Sequence, residues 1–210
     1  MPDLELLHPV CFGPMDQVAI GGIIEDLDYG ETIYKDNFPT RRTRAVVEAF
    51  VPVCQSIREY KELPETTQIE LTGFAVGRKL VEPGQTSSSI SRDWHGDGER
   101  SGEHRVVLAT SMPTEIVLGK IGLSELARLH TEMIFSSGDD SYNRLGLYLG
   151  ATADKKLLDL GLSIAQLLPY HAYLLEQQDC HRSPENPMTE PIDRGFFNLI
   201  FVEKPLIDLV

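Results

Sequence analysis

"TQIELTGFAVGRKLVEPG" (residues 67–84) marks a change of texture in this chain. Stretches of it alternate apolar with polar residues, several positions are β-branched, and Pro83-Gly84 closes it with a turn signal. A period of two places successive side chains on opposite faces, which is the pattern of a half-buried strand. Further strands are expected over HRVVLATSM (104–112), EIVLGKIG (115–122), AYLLEQQDC (172–180) and GFFNLIFVEK (195–204). Between them, LSELARLHTEMIF (123–135) and the region from Asp154 to Leu168 are helical in pattern.

Before residue 67 the chain reads differently. The first forty residues are rich in turn signals and are expected to form a few short elements laid on a larger body. TRRTRAVVEAFVPVCQSIREY (40–60) carries Val46, Val47, Phe50, Val53, Cys54 and Ile57 on one helical stripe. Thr40 is positioned to cap its start, and Pro52 predicts a kink or break near Phe50. The expected organisation is one structural domain: a mixed, helix-containing segment over 1–66, packed on a core over 67–210. Its class is α+β, with an antiparallel sandwich or barrel at the centre.

Composition narrows the function. With 210 residues, 41% hydrophobic and 24% charged, the chain suits one sizeable globular domain. A formal net charge of −13 opposes binding to nucleic acid and favours a small molecule or peptide. The short basic cluster Arg41, Arg42 and Arg44 reads as a solvated helix face. No apolar run is long enough to span a membrane, and the N-terminal residues lack the basic start of a secretory signal. Cys11, Cys54 and Cys180 are odd in number and far apart, which predicts a reducing, cytoplasmic compartment and no disulfide framework. Cys180 is expected to be a packed thiol.

Three pieces could carry chemistry. In DWHGDG (93–98), His95 and Asp97 lie two apart, so in extended chain they share a face while Trp94 takes the other. Alone, this triplet is also a plain polar turn. The second piece, DCHRSPEN (179–186), supplies His181 at the end of a long expected strand. Two histidines and a carboxylate form the facial triad of non-haem iron(II), with positions left open for other ligands. The third is Arg194, at the start of the strand GFFNLIFVEK. In an apolar barrel its planar fork needs an anion, although a strand-end ion pair with Asp193 or Glu190 is the plainer reading of it by itself.

Together the order HxD, then His, then Arg resembles the iron(II)- and 2-oxoglutarate-dependent oxygenases, over roughly Leu71 to Glu203. The resemblance implies a double-stranded β-helix, a jelly-roll or cupin-like core, with flanking helices largely N-terminal. It implies that His95, Asp97 and His181 ligate iron(II) and that Arg194 holds the distal carboxylate of 2-oxoglutarate. Dioxygen and a small-molecule or amino-acid-like substrate would complete the reaction, which releases succinate and carbon dioxide. Some members place a serine two residues after the arginine; here that residue is Phe196, and a tyrosine or threonine from a nearby strand is the donor expected in its place. Asp97 favours hydroxylation or another oxidation over halogenation, which in related enzymes uses a small residue there. Two other classes remain open: a cupin-like metal isomerase or dioxygenase without 2-oxoglutarate, and a non-catalytic barrel that binds a partner.

Other polar residues have plainer readings. Arg105 could face the site, but a strand-edge salt bridge is the first expectation. His104, His130 and His171 read as surface or packed histidines, and Arg182 should point away from His181. QTSSSISRD (85–93) reads as a solvated loop, or as a lid over the metal site.

Overall fold

The computed structural model describes residues 9–35, 40–87, 94–97, 102–118, 146–149, 157–159, 161–176 and 179–205, with the backbone alone at 95–97 and 146–149. Two antiparallel sheets face one another. The larger contains β1 (Val10–Pro14), β2 (Thr32–Tyr34), β3 (Thr67–Val81), β5 (Glu103–Ala109), β9 (His171–Leu175) and β11 (Ile192–Pro205), in the order β1-β9-β5-β11-β3-β2. The smaller contains β4 (Trp94–Asp97), β6 (Glu115–Leu118), β7 (Gly146–Leu149), β8 (Ser163–Gln166) and β10 (His181–Arg182), in the order β7-β4-β10-β6-β8. From β3 to β6 and again from β8 to β11, successive strands alternate between the sheets. The central orders β9-β5-β11-β3 and β4-β10-β6-β8 are those of a double-stranded β-helix, so the fold is a jelly roll with flanking helices.

The long pair β3 and β11 forms the backbone of the large sheet, in register from Ile192 opposite Val81 to Pro205 opposite Thr67. One irregularity, between Ile200 and Phe201, leaves Thr72 as the extra residue, and its hydroxyl donates to the Ile200 carbonyl. This register gives the sheet two unlike faces. On one, Phe74, Val76, Val106, Leu108, Leu174, Phe197, Leu199 and Phe201 join a continuous apolar cluster. Helices α1 (Gln17–Glu25), α2 (Arg41–Ala49) and α3 (Val51–Tyr60) cover that face with Ile20, Ile23, Ile24, Val46, Phe50, Val53 and Ile57. Gly195 permits the close approach: a Cβ built there would lie 2.5 Å from Ile24.

The expected break near Phe50 is present. α2 ends at Ala49 and α3 begins at Val51, with Pro52 in its first turn, where a missing N–H costs nothing. Thr40 caps α2 by accepting from the Thr43 N–H. In the first forty residues, β1 and β2 extend the large sheet at its two edges rather than lying on it.

Two expectations need correction. The helical pattern over Asp154–Leu168 gives way after 157–159: Gly161, at φ +76°, turns the chain, and Ser163–Gln166 pairs with β6 as a strand. Four residues hold too few periods to distinguish helix from strand, and the available edge of β6 decides. The strand expected over 172–180 ends at Leu175, where Glu176 and Asp179 close a turn through Asp179 N–H to the Glu176 carbonyl and Glu176 N–H to the Asp179 carboxylate. His181 therefore opens a new two-residue strand in the other sheet. The expected helix at 123–135 lies outside the described residues. Among the described residues no helix is long and apolar enough to cross a membrane.

Candidate active site between the sheets

Register alone brings two of the sequence candidates together. β10 lies between β4 and β6, and His181 is directly opposite His95 on one side and Ile116 on the other. Directly opposed residues of paired strands share a face. The identity of that face comes from their neighbours. Ile116 packs with Val107, Tyr173 and Leu175 of the large sheet, so its face looks inward between the two sheets. Trp94 and Arg182 occupy the other face, where the Arg182 guanidinium lies 4.4 Å from the centre of the Trp94 ring and its Nε donates to Glu115 at 2.6 Å. Arg182 thus points away from His181, as alternation requires. The side chains of His95 and Asp97 lie outside what the structure describes; their strand positions, 95 and 97, share the inward parity.

His181 is 6% exposed. Its Nδ1 lies 3.0 Å from the Asp179 carbonyl oxygen, a partner that can only accept. The proton is therefore on Nδ1, and Nε2 carries the lone pair of the neutral ring. Fixing one ring nitrogen on a backbone carbonyl is how a metal-ligating histidine is oriented. Cys180, next in sequence, is fully buried, and burial pushes its thiol up to about 12. At neutral pH it is a protonated packing group rather than a nucleophile.

Arg194 lies on the inward face of the large sheet. It is four residues from Asn198, which is opposite the inward-facing Val107, and no irregularity intervenes. It is 4% exposed. Nε donates to the Met112 carbonyl at 2.9 Å and Nη1 to the Ser87 hydroxyl at 2.7 Å. Asp193, its expected ion-pair partner, faces the other way and pairs with Arg78 at 2.7 Å. The Glu190 carbonyl accepts from Asn186 instead. Among the described residues no carboxylate meets the Arg194 guanidinium. Burial lowers its pKa to about 10, so it stays charged at neutral pH.

Ser87 is a site residue that the sequence does not single out. It belongs to the polar run QTSSSISRD, where one serine looks like the next. The donor expected beside Arg194 is a tyrosine or threonine from a nearby strand; the hydroxyl found there is that of Ser87, 6% exposed. Phe196, in the place where the resembling family has serine, stacks its ring over Gly77, where a Cβ would lie 2.5 Å from the ring. Lys79, opposite Arg194 in register, donates to the carbonyls of Ser87 at 3.0 Å and Thr86 at 3.5 Å.

Arg105 also has inward parity and donates to Asn198 Oδ1 at 3.4 Å. His104 is buried on the helix side and pairs with Glu203 at 2.8 Å. His171 Nδ1 meets the Pro169 carbonyl, and His130 lies outside the described residues. Among the described residues no three ligating side chains form a metal-sized group, and two of the three proposed ligands are not in that set.

No protein-family model matches the chain, and no curated protein matches it. Among solved structures it is similar to a non-heme monooxygenase, ThoJ, in complex with nickel, with 10% identity and a TM-score of 0.48 over 95% of this chain and 75% of that one. It is also similar to EctD from S. alaskensis in its apoform, with 13% identity and a TM-score of 0.43 over 90% of this chain and 70% of that one. At that distance neither likeness says what this chain catalyses; the strand order itself defines the fold.

Proposed function

We propose that the chain is a non-haem iron(II), 2-oxoglutarate-dependent oxygenase that oxidises a small-molecule or amino-acid-like substrate. His95, Asp97 and His181 would hold the metal, and Arg194 would hold the distal carboxylate of 2-oxoglutarate. The observation that carries this reading is Arg194: a charged guanidinium, 4% exposed, on the inward face, with no carboxylate partner among the described residues. A buried unpaired cation is costly, and a ligand anion compensates it.

The residues fit the groups they would bind. Two imidazoles and a carboxylate match iron(II) and leave open positions. The proton arrangement on His181 leaves the lone pair on Nε2. Iron(II), when bound, supplies the dioxygen chemistry that closed-shell side chains lack. The protein's share is orientation. Arg194 fixes one end of the keto acid through a planar fork, and the apolar inward residues Val107, Ile116, Tyr173 and Leu175 limit water around the reacting end. In the overall reaction one oxygen atom of dioxygen enters succinate and the other enters the product, with loss of carbon dioxide. Asp97 keeps a carboxylate in the ligand set, which favours hydroxylation or a related oxidation over halogenation.

Calorimetry under anaerobic conditions tests the reading, with manganese(II) as the redox-inert metal. Metal-loaded protein should bind one 2-oxoglutarate, and His181→Ala should abolish metal binding. Metal binding without 2-oxoglutarate binding would instead fit a cupin-like enzyme of another kind. Binding of neither would fit a barrel without this chemistry.

A further inference from the structure

Arg194 has more around it than a single anchor needs. The role of these neighbours rests on Arg194 being the site of the 2-oxoglutarate carboxylate. Nη1 is taken up by the Ser87 oxygen. That oxygen acts as acceptor, so its own hydroxyl hydrogen remains to be given, and among the described residues it has no acceptor. Arg194 Nη2 likewise has no acceptor among the described residues. Two donors therefore stand side by side, one cationic and one neutral, both on side chains more than nine-tenths buried. A carboxylate has two oxygens in one plane and matches such a pair.

Ser87 needs a reason to be there, because it belongs to a connection rather than to a strand. The backbone supplies part of it. Gly84 N–H donates to the Asn186 carbonyl, Asn186 N–H donates to the Gln85 carbonyl, and Thr86 bridges Glu185. Lys79 supplies the rest by holding the Thr86 and Ser87 carbonyls from the adjacent strand. Lys79 also makes no ion pair among the described residues. Its ammonium therefore adds a second positive charge to the surroundings of Arg194.

We infer that Ser87 is the second donor to the ligand carboxylate and that Lys79 is a positioning residue that holds Ser87 on Arg194, so that these two residues set the selectivity for a keto acid with a distal carboxylate. Ser87 replaces by position, from a different segment, the hydroxyl that Phe196 does not supply.

Selectivity gives a test that mere folding does not mimic. The probes are 2-oxoglutarate and 2-oxobutyrate, a keto acid without the distal carboxylate, titrated into the manganese(II)-loaded full chain. Ser87→Ala should weaken 2-oxoglutarate about tenfold, the scale of one hydrogen bond to a charged group, and leave 2-oxobutyrate unchanged. Ser87→Thr keeps the hydroxyl and should retain most of the affinity. Lys79→Gln should weaken 2-oxoglutarate several-fold, by about half an order of magnitude, with Lys79→Arg restoring it. Equal weakening of both keto acids by Ser87→Ala or Lys79→Gln would mean a general structural role and overturn the inference. If the parent binds 2-oxoglutarate and Arg194→Met abolishes it, yet Ser87→Ala binds as the parent does, the inference fails while the anchor stands. If the parent does not bind 2-oxoglutarate, the anchor reading fails first and takes the inference with it.

Discussion

The two faces of the large sheet are built from alternate residues of the same strands, yet they serve different ends. The helix-covered face is apolar along β11, with Phe197, Leu199 and Phe201 each no more than 1% exposed. The inward face of the same strand carries Arg194, Phe196 and Asn198, and its neighbours carry Lys79 and Arg105. Burial is similar at Arg194 and Phe197, but its consequence is opposite. Burying a phenyl ring stabilises the fold, whereas burying a guanidinium without a carboxylate costs free energy. Stability is concentrated on one face, and ligand chemistry is assigned to the other.

The largest expected effect tests the stabilising face. Phe197 packs against Phe50 with ring centres 5.4 Å apart and joins the sheet to α3. Phe197→Ala should cost about 3–5 kcal/mol in denaturant unfolding, the usual penalty for an aromatic cavity. The protein that remains folded should bind 2-oxoglutarate as the parent does. A loss below about 1 kcal/mol would mean that the helix-covered face is not where stability resides.

Arg194→Met should do the reverse. Binding of 2-oxoglutarate should fall at least about 100-fold, because truncating one partner of a buried charge pair costs roughly 2–5 kcal/mol. Stability should stay within about 1 kcal/mol of the parent, since two lost hydrogen bonds are offset by the relieved desolvation of the charge. The pH dependence has a definite sign. The folded pKa, about 10, lies below the ordinary 12.5, so between them the unfolded chain holds more protons. Stability from this group therefore rises with pH across that window and is flat below it. A steep loss of stability in Arg194→Met at neutral pH would make the arginine a structural clamp.

The faces also differ in how much of each could be read from residues alone. The long strands β3 and β11 are legible because alternation continues through many residues and reports burial directly. The break at Phe50 is legible because proline removes a donor wherever it falls. β8 is not, since four residues carry no clear period and its partner edge is a tertiary feature. The site divides in the same way. His95, Asp97, His181 and Arg194 can be named from residue type and order, and Arg182 can be set aside by parity. That residues 95 and 181 are opposite one another depends on register between strands far apart in sequence, which is fixed by the whole fold. Ser87 is hidden by its composition, as one of several serines in a polar run, and only its bond to Arg194 distinguishes it.

Asn186 links the two regimes and should show both effects at reduced size. It is 1% exposed, its side-chain amide donates to the Val81 and Glu190 carbonyls at 2.8 and 3.0 Å, and its oxygen accepts from Met188 N–H at 2.9 Å. Its backbone holds Gly84 and Gln85. Asn186→Ala should cost about 2 kcal/mol by leaving buried backbone groups unpaired. Because the segment bearing Ser87 is tied to it, 2-oxoglutarate affinity should fall as well, by roughly threefold, less than one whole hydrogen bond to a charge. A stability loss with no change in affinity would separate this connection from the ligand site.

The smallest effect belongs to the helical layer, where the separation of the faces should be cleanest. Asp16 caps α1 by accepting from the N–H groups of Val18 at 2.9 Å and Ala19 at 3.2 Å. Its carboxylate also sits at the positive end of the helix, although it is exposed. Asp16→Ala should cost about 1 kcal/mol by thermal or chemical unfolding, the usual loss for such a cap. α1 lies on the far side of the large sheet from His181 and Arg194, and it reaches the sheet through Ile20, Ile23 and Ile24 rather than through Asp16. The sheet between them is held by continuous strand pairing, so fraying the first turn of α1 should not move the inward side chains. Titration of manganese(II) and 2-oxoglutarate into Asp16→Ala should therefore match the parent within error. If affinity falls in step with that small loss of stability, the inward face takes its geometry from the helices, and the two faces work as one unit.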